Sequence, residues 1–353
     1  MKLRHFKELD GIRALAALMV MFFHFFQNVE AKTTMLLLIK KYSIFGQTGV
    51  SLFFVLSGFL ITRILLNTKK SPSYFRKFYF RRAVRIFPLY YLFLLITYFL
   101  VPLLEHTPFI PFAQQVYFWI YLQNFATTFH WKADGPGHFW SLAVEEHFYL
   151  FWPFLIYFLS SIKNIKNAIV LIIIIATITR YLLIINGYEF FYFTFSRMDE
   201  LAVGALLAIW ECEGKLKPEY SKKFGIMFFL IILPTLALWI LTTGLGLDII
   251  QVSKFILLAF CYFCLIGFVI TIKDSNWFKK LLCFNIFSYT GKISYGLYVF
   301  HPLCFWLIRR HINLDSILLD FILSFGFCYI ISSISYYFFE LKFLSLKEKF
   351  EYN

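Results

Sequence analysis

Apolar residues in this chain come in long runs, such as 169–178 and 228–241, separated by short stretches that hold most of the charge. The runs extend toward the ~20 residues that cross a hydrocarbon core of about 30 Å at about 1.5 Å per residue. Inside lipid every backbone polar group must be satisfied within the segment, so such runs predict helices. The alternating pattern of an outer-membrane barrel is missing. About ten transmembrane helices are predicted, over 10–28, 47–66, 85–104, 139–160, 167–186, 197–211, 224–243, 251–271, 291–310 and 314–339. The sixth is short and reads as tilted or partly re-entrant. Residues 109–129 are aromatic and apolar but broken by prolines, and predict an interfacial helix between the third and fourth spans. The first run, 12–26, lacks a convincing small-residue cleavage site and reads as helix one, not as a cleaved signal. The predicted fold class is therefore all-α: a polytopic membrane protein of about ten helices around a central pore, in a single domain over 1–353.

Composition agrees with this pattern. Hydrophobic residues make up 60% of the chain and charged ones 15%, against about 25% charged in a soluble domain. The net charge of +14 would suggest nucleic acid in a soluble protein. Here the cations collect in alternate loops, so no nucleic-acid partner is inferred. With the N-terminus inside, the inner segments hold about 22 of the 34 Lys and Arg, and the outer ones about 8. One expected inner loop alone contains Lys69, Lys70, Arg76, Lys77, Arg81, Arg82 and Arg85. This bias predicts both termini in the cytoplasm. Six cysteines lie mostly in apolar runs. The C-x-x-C of Cys261 and Cys264 is read as packing, and no zinc spacing is present.

Charges inside spans are costly and usually face a protein interior or a wet cavity. Helix one carries Arg13 and His24. Eleven residues at about 100° each return to nearly the same face, about 16 Å further along the axis. A snorkelling arginine and a packing histidine would give the same spacing. In the expected fourth span Ser141 and Glu145 are four apart and share a face. Running inward, that helix places Glu145 about 9 Å below the outer edge, the depth His24 approaches from the other side. A His–Glu general-base pair is therefore expected, with the carboxylate orienting the imidazole. Arg82 and Arg85 lie near one face at the inner mouth of the third span and suit a polyanion such as a nucleotide phosphate; Arg81 is read as topology alone. His301, before Pro302, is either structural or a second base candidate. Asp199 and Glu200 are read as stabilising the N-terminus of the sixth helix through its dipole. No P-loop or G-x-S-x-G is present.

Six stretches carry a resemblance. They are LDGIRALAALMVMFFHF at 9–25, GVSLFFVLSGFLIT at 49–62, RRAVRIFPLYY at 81–91, HFWSLAVEEHFYLFWP at 138–153, RMDELAVGALLA at 197–208 and ISYGLYVFHP at 293–302. In this order, over nearly the whole chain, they resemble the integral-membrane acyltransferase-three family, which includes bacterial O-acetyltransferases of surface polysaccharides. The family's arginine–histidine motif falls on Arg13 and His24, its paired arginines on Arg82 and Arg85, and its serine-to-glutamate motif on Ser141 and Glu145. His147 departs from the pattern, where members often carry glutamine. Some members add a hydrolase-like domain, and none is expected within 1–353.

The resemblance implies an acyl-coenzyme A donor, acetyl-CoA by family weight, in the cytoplasm, and an acceptor hydroxyl outside, often on a sugar, across a bacterial inner membrane. The expected mechanism places the nucleotide against Arg82, Arg85 and Arg13. The pantetheine arm threads the pore toward His24, and His24, oriented by Glu145, deprotonates the acceptor hydroxyl. Ser141 is expected to hydrogen-bond near Glu145, with a nucleophilic role as the lesser reading. No metal is called for. The alternative class is a transporter or flippase for a lipid-linked sugar or another solute, which an internal repeat would favour; none is seen.

Overall fold

The structure is a computed structural model, and it describes residues 6–242, 248–312, 314 and 316–350. Residue 243 of the expected seventh span, residue 315 of the expected tenth and both ends of the expected 1–353 domain lie outside them. The described residues form α-helices with short 3-10 and π turns, and no strand among them. In chain order these are α1 (Glu8–Gln27), α2 (Thr34–Ser43), α3 (Gly49–Thr68), α4 (Tyr74–Leu95), α5 (Val101–Glu105), α6 (Phe112–Trp119), α7 (Gln123–Thr128) and α8 (Trp140–Phe158). They continue with α9 (Ile162–Ile185), α10 (Thr194–Cys212), α11 (Ser221–Thr242), α12 (Asp248–Thr271), α13 (Trp277–Leu282), α14 (Asn285–His311), α15 (Ile317–Ile334) and α16 (Leu341–Leu344).

Each expected span coincides with a helix. Seven helical stretches are long and apolar enough to cross a membrane: Glu8–Gln27, Thr34–Thr68, Tyr74–Glu105, Ile162–Ile185, Pro218–Thr242, Val252–Thr271 and Ile317–Lys347. The other three expected spans, α8, α10 and α14, are too polar to meet that standard, because they carry the charged and histidine residues of the interior. The outward faces of α9, α11 and α15 are apolar, with Leu171, Phe229, Leu230, Leu318 and Ile330 exposed, as a lipid-facing surface requires.

Two expectations are corrected here. The basic stretch before the third span is not all loop: α4 begins at Tyr74, so Arg81, Arg82 and Arg85 project from a helix. The expected interfacial helix is two short ones, α6 and α7, because Tyr121 takes a left-handed backbone conformation with φ 59° between them. Of the expected central pore, the described residues show cavities in the interior, two of which share Val50 and Tyr298 in their linings.

The expected re-entrant helix, α10, is instead a full 19-residue helix at the centre of the bundle, buried on nearly every side. It crosses α3 at a point where both helices carry glycine. A Cβ on Gly58 would lie 1.9 Å from the Leu201 carbonyl oxygen, and one on Gly204 would lie 2.0 Å from the Val55 carbonyl oxygen. The two backbones are in contact there, the small-residue packing that membrane helices use when burial against lipid drives nothing. This fixes α3 and α10 as one unit, and α3 lines both cavities.

Candidate active site

The first cavity, of about 280 Å³, lies toward the N-terminal end of α1. Arg13 of α1, Arg82 and Arg85 of α4, and Glu145 and Glu146 of α8 supply its charge; Ser57, Ser141, Tyr149, Ser294, Tyr295 and Tyr298 supply hydroxyls. Phe53, Phe54, Leu56, Leu60, Ile61 and Ile64 of α3 make the apolar wall. Arg13 is held by Asp10 one turn earlier at 2.6 Å. Arg82 and Arg85 are three residues apart on α4 and therefore share a face. Both act electrostatically on the Glu145 carboxyl, which also meets the Ser57 and Tyr149 hydroxyls. Those two hydroxyls hydrogen-bond to each other.

The second cavity, of about 340 Å³, lies toward the C-terminal end of α1. His24 of α1 and His138 line it, with Gln47 and Thr127 as further polar groups and Phe23, Trp140, Phe191 and Tyr192 as an aromatic enclosure. Val50 and Tyr298 line both cavities. The partition is tied down by hydroxyls: Ser141 and Tyr298 oxygens are 2.5 Å apart, and Tyr298 donates to the His138 carbonyl at 2.7 Å. With the Tyr298 proton on that carbonyl, the Ser141 hydroxyl donates to Tyr298. Ser141 therefore braces the wall between the cavities.

The structure brings Arg13, Arg82, Arg85, Ser141 and Glu145 together, as the spacing suggested. It does not pair His24 with Glu145. They line different cavities, and among the described residues the partners of His24 are His301 and the Val20 carbonyl. The expected pairing rested on position along the helix axes, and position along an axis says nothing about azimuth. His301 is fully buried on α14 and its Nε2 lies 2.9 Å from His24 Nδ1. His147 turns away from both cavities to Thr194, at 2.7 Å.

Two sets of residues were missed. His138 was read only as part of a motif, yet it lines the second cavity, with its Nε2 3.0 Å from the Val299 carbonyl. Behind the aromatic wall is a buried ionic cluster. Arg180 pairs with Asp199 at 2.7 Å, and Arg197 with Glu200 at 3.0 Å, Glu200 also accepting from Ser51 at 2.8 Å. Asp199 and Glu200 lie in the second turn of α10, each held by an arginine, which corrects the helix-dipole reading. The Arg197 guanidinium lies over Trp140, Phe191 and Phe255 at 5.1, 4.7 and 4.5 Å, so it sets two walls of the second cavity through cation–π contacts. The available signal was Arg180, an arginine ending an isoleucine-rich run. Cys261 and Cys264 are buried packing residues on α12. Among the described residues no group of His, Cys, Asp or Glu could hold a metal ion.

Residues 6–337 match the model of a family described as an acyltransferase domain. The chain belongs to this acyltransferase family. Among similar proteins, the peptidoglycan O-acetyltransferase OatA of Listeria monocytogenes is 27% identical over 320 residues, covering 84% of this chain and 49% of the relative. The O-acetyltransferase OatA of Staphylococcus aureus is 27% identical over 332 residues, covering 84% and 50%. The chain spans about half the length of these relatives. No solved structure matches it. The matched region includes every residue of both cavities.

Proposed function

We propose that this protein is a membrane O-acyltransferase that moves an acyl group, by family weight acetyl, from acyl-coenzyme A on the cytoplasmic side to a hydroxyl of an extracytoplasmic acceptor, a surface polysaccharide sugar. The observation that carries the reading is the pair of cavities meeting back to back at Val50 and Tyr298, one lined by arginines and the other by histidines and aromatics. A transferase that joins reactants from opposite sides of a membrane needs two such chambers and a thin wall between them. The positive-inside bias sets the first cavity on the cytoplasmic side, with both termini, in an inner membrane crossed about ten times.

In this reading Arg13, Arg82 and Arg85 receive the donor phosphates at the mouth of the first cavity. Guanidinium groups bind phosphate with paired hydrogen bonds. At about 280 Å³ the cavity is at the small end of ligand sites. It therefore suits the pantetheine arm, with the nucleotide left at the mouth. Glu145 acts from this cavity, ordering the two arginines and the Ser57 and Tyr149 hydroxyls around the arm. The thioester reaches the wall, where Ser141 and Tyr298 lie. On the other side Trp140, Phe191 and Tyr192 offer flat faces to a sugar ring, and His24 removes a proton from its hydroxyl. The hydroxyl attacks the thioester carbon directly, and Ser141 serves as a brace. Family membership weighs against the transporter reading.

Purified protein in nanodiscs, given acyl-labelled acetyl-CoA and an oligosaccharide acceptor, should release free coenzyme A and yield an O-acetylated sugar by mass spectrometry. Hydrolysis of the donor with no acceptor dependence would sink the proposal. The sidedness has its own check in intact cells. A cysteine replacing Lys132 should react with an impermeant maleimide and one replacing Lys70 should not; the reverse result would invert the donor side.

A further inference from the structure

Among the described residues His24 has no carboxylate partner of the kind a histidine base commonly uses, and the hydrogen bonds around it supply a different device. His301 Nδ1 lies 2.8 Å from the Tyr298 carbonyl and 3.1 Å from that of Leu297. Carbonyl oxygens only accept, so Nδ1 of His301 carries its proton. In a neutral imidazole the other nitrogen is then an acceptor. That nitrogen, Nε2, is 2.9 Å from His24 Nδ1. His24 Nδ1 also lies 3.1 Å from the Val20 carbonyl, a second acceptor. Both contacts require a proton on His24 Nδ1 and leave its Nε2 bare. His301 is fully buried, where a lasting imidazolium would be costly to hold. The opposite arrangement, with His301 donating, would also aim the His24 Nδ1 lone pair at the Val20 carbonyl.

We infer that His301 is the positioning residue of the acyl transfer: it holds His24 in the Nδ1–H tautomer, through a relay that ends on the α14 backbone, so that Nε2 is the base presented to the acceptor. The inference rests on the proposed transferase reading and deepens it. The step balances as follows. The acceptor hydroxyl gives its proton to His24 Nε2 while its oxygen bonds to the thioester carbon. The tetrahedral adduct expels the thiolate as the carbon–sulfur bond breaks. The proton passes from His24 Nε2 to that sulfur, leaving an O-acyl ester, a free thiol and neutral His24. During the step the imidazolium keeps its Nδ1–H on His301 Nε2 and Val20. Neither acceptor is charged, so His24 is oriented without being made a strong base. This frees Glu145 for the donor side.

The test compares His301→Phe, which keeps the ring and loses the acceptor, with His301→Gln, whose amide oxygen can take the place of Nε2. His24→Ala is run alongside. Per folded molecule, His301→Phe should lower kcat by about 10- to 100-fold, the range for lost outer-shell orientation of a histidine, with donor and acceptor KM unchanged. His301→Gln should recover most of the rate. Equal losses in Phe and Gln, or full activity in Phe, would overturn the inference. Inactivity of His24→Ala alone keeps the transferase reading in place in either case, whereas activity retained there would remove His24 and the reading with it. A measurement free of activity covers the case in which neither variant folds. Nitrogen-15 spectra of histidine-labelled wild-type protein should show His24 protonated at Nδ1, and protonation at Nε2 would overturn the assignment.

Discussion

Three arginines and two glutamates charge the first cavity, whereas the second holds two histidines and an aromatic wall, and only Val50 and Tyr298 belong to both. The first arranges permanent charge on helix faces that open at one end of the bundle. The second holds two imidazoles, each with one nitrogen beside a backbone carbonyl: Val20 for His24 Nδ1 and Val299 for His138 Nε2. Permanent cations suit a ligand that is already a polyanion. Neutral histidines suit a proton that must come and go. The difference teaches that, under the proposed function, binding and proton transfer would be physically segregated, and that Glu145, expected beside His24, lines the arginine cavity instead.

The sharpest break of this comparison is His24→Ala. Transfer per folded molecule should fall by roughly 10²- to 10⁴-fold, the usual worth of a general base. Coenzyme A affinity in a binding titration should be unchanged, and a matching drop in affinity would mean that the cavities are one site. Next in size is Arg197→Ala, which strands Glu200 in the interior. Breaking one partner of a buried pair costs about 3–5 kcal/mol, so the variant should melt well below the parent in a thermal assay. A melting point within a degree or two would show that the ionic cluster does not brace the second cavity.

Arg82→Ala should weaken coenzyme A binding by about 10- to 150-fold, or ~1.5–3 kcal/mol for a charge-assisted contact, and leave acceptor KM alone. Unchanged affinity would return Arg82 to a topological role. Glu145→Gln then decides which side the carboxylate serves. In donor affinity its effect should couple to that of Arg82→Ala by at least ~0.5 kcal/mol, as for residues of one network. Strict additivity there would reopen the pairing with His24.

The smallest effect belongs to a control outside both cavities. Glu213, just past α10, is bonded by Lys166 and Lys215, which hold its carboxyl below the usual carboxylate range. A depressed carboxylate contributes stability above its unfolded value, and the contribution is lost as pH falls through the folded one. Because the group is exposed, the contribution is at most a few tenths of a kcal/mol. Glu213→Gln should therefore trim stability slightly at neutral pH, converge with the parent in acid, and change neither donor binding nor transfer. A larger effect would place this loop in contact with the donor.

The sequence by itself determined the helices. Run length against bilayer thickness is a one-dimensional constraint, and the chain obeys it in one dimension, so all ten expected spans coincide with helices. The same logic found Arg13, Arg82, Arg85, Ser141 and Glu145, since charge in an apolar run is costly wherever the run packs. The arginine pairs on α9 and α10 were open to that argument too and were passed over. Rotation about each helix axis was decided by tertiary structure alone. It depends on which neighbour each helix meets, and that is settled by contacts such as the glycine crossing of α3 and α10, far apart in sequence. A second glycine contact sets α14 against α1, where a Cβ on Gly291 would lie 2.0 Å from the Asp10 carbonyl oxygen; His24 meets His301 between these two helices, and Glu145 lines the arginine cavity. Two residues at one depth can lie on opposite sides of a wall, and only the packing of the helices puts the wall there.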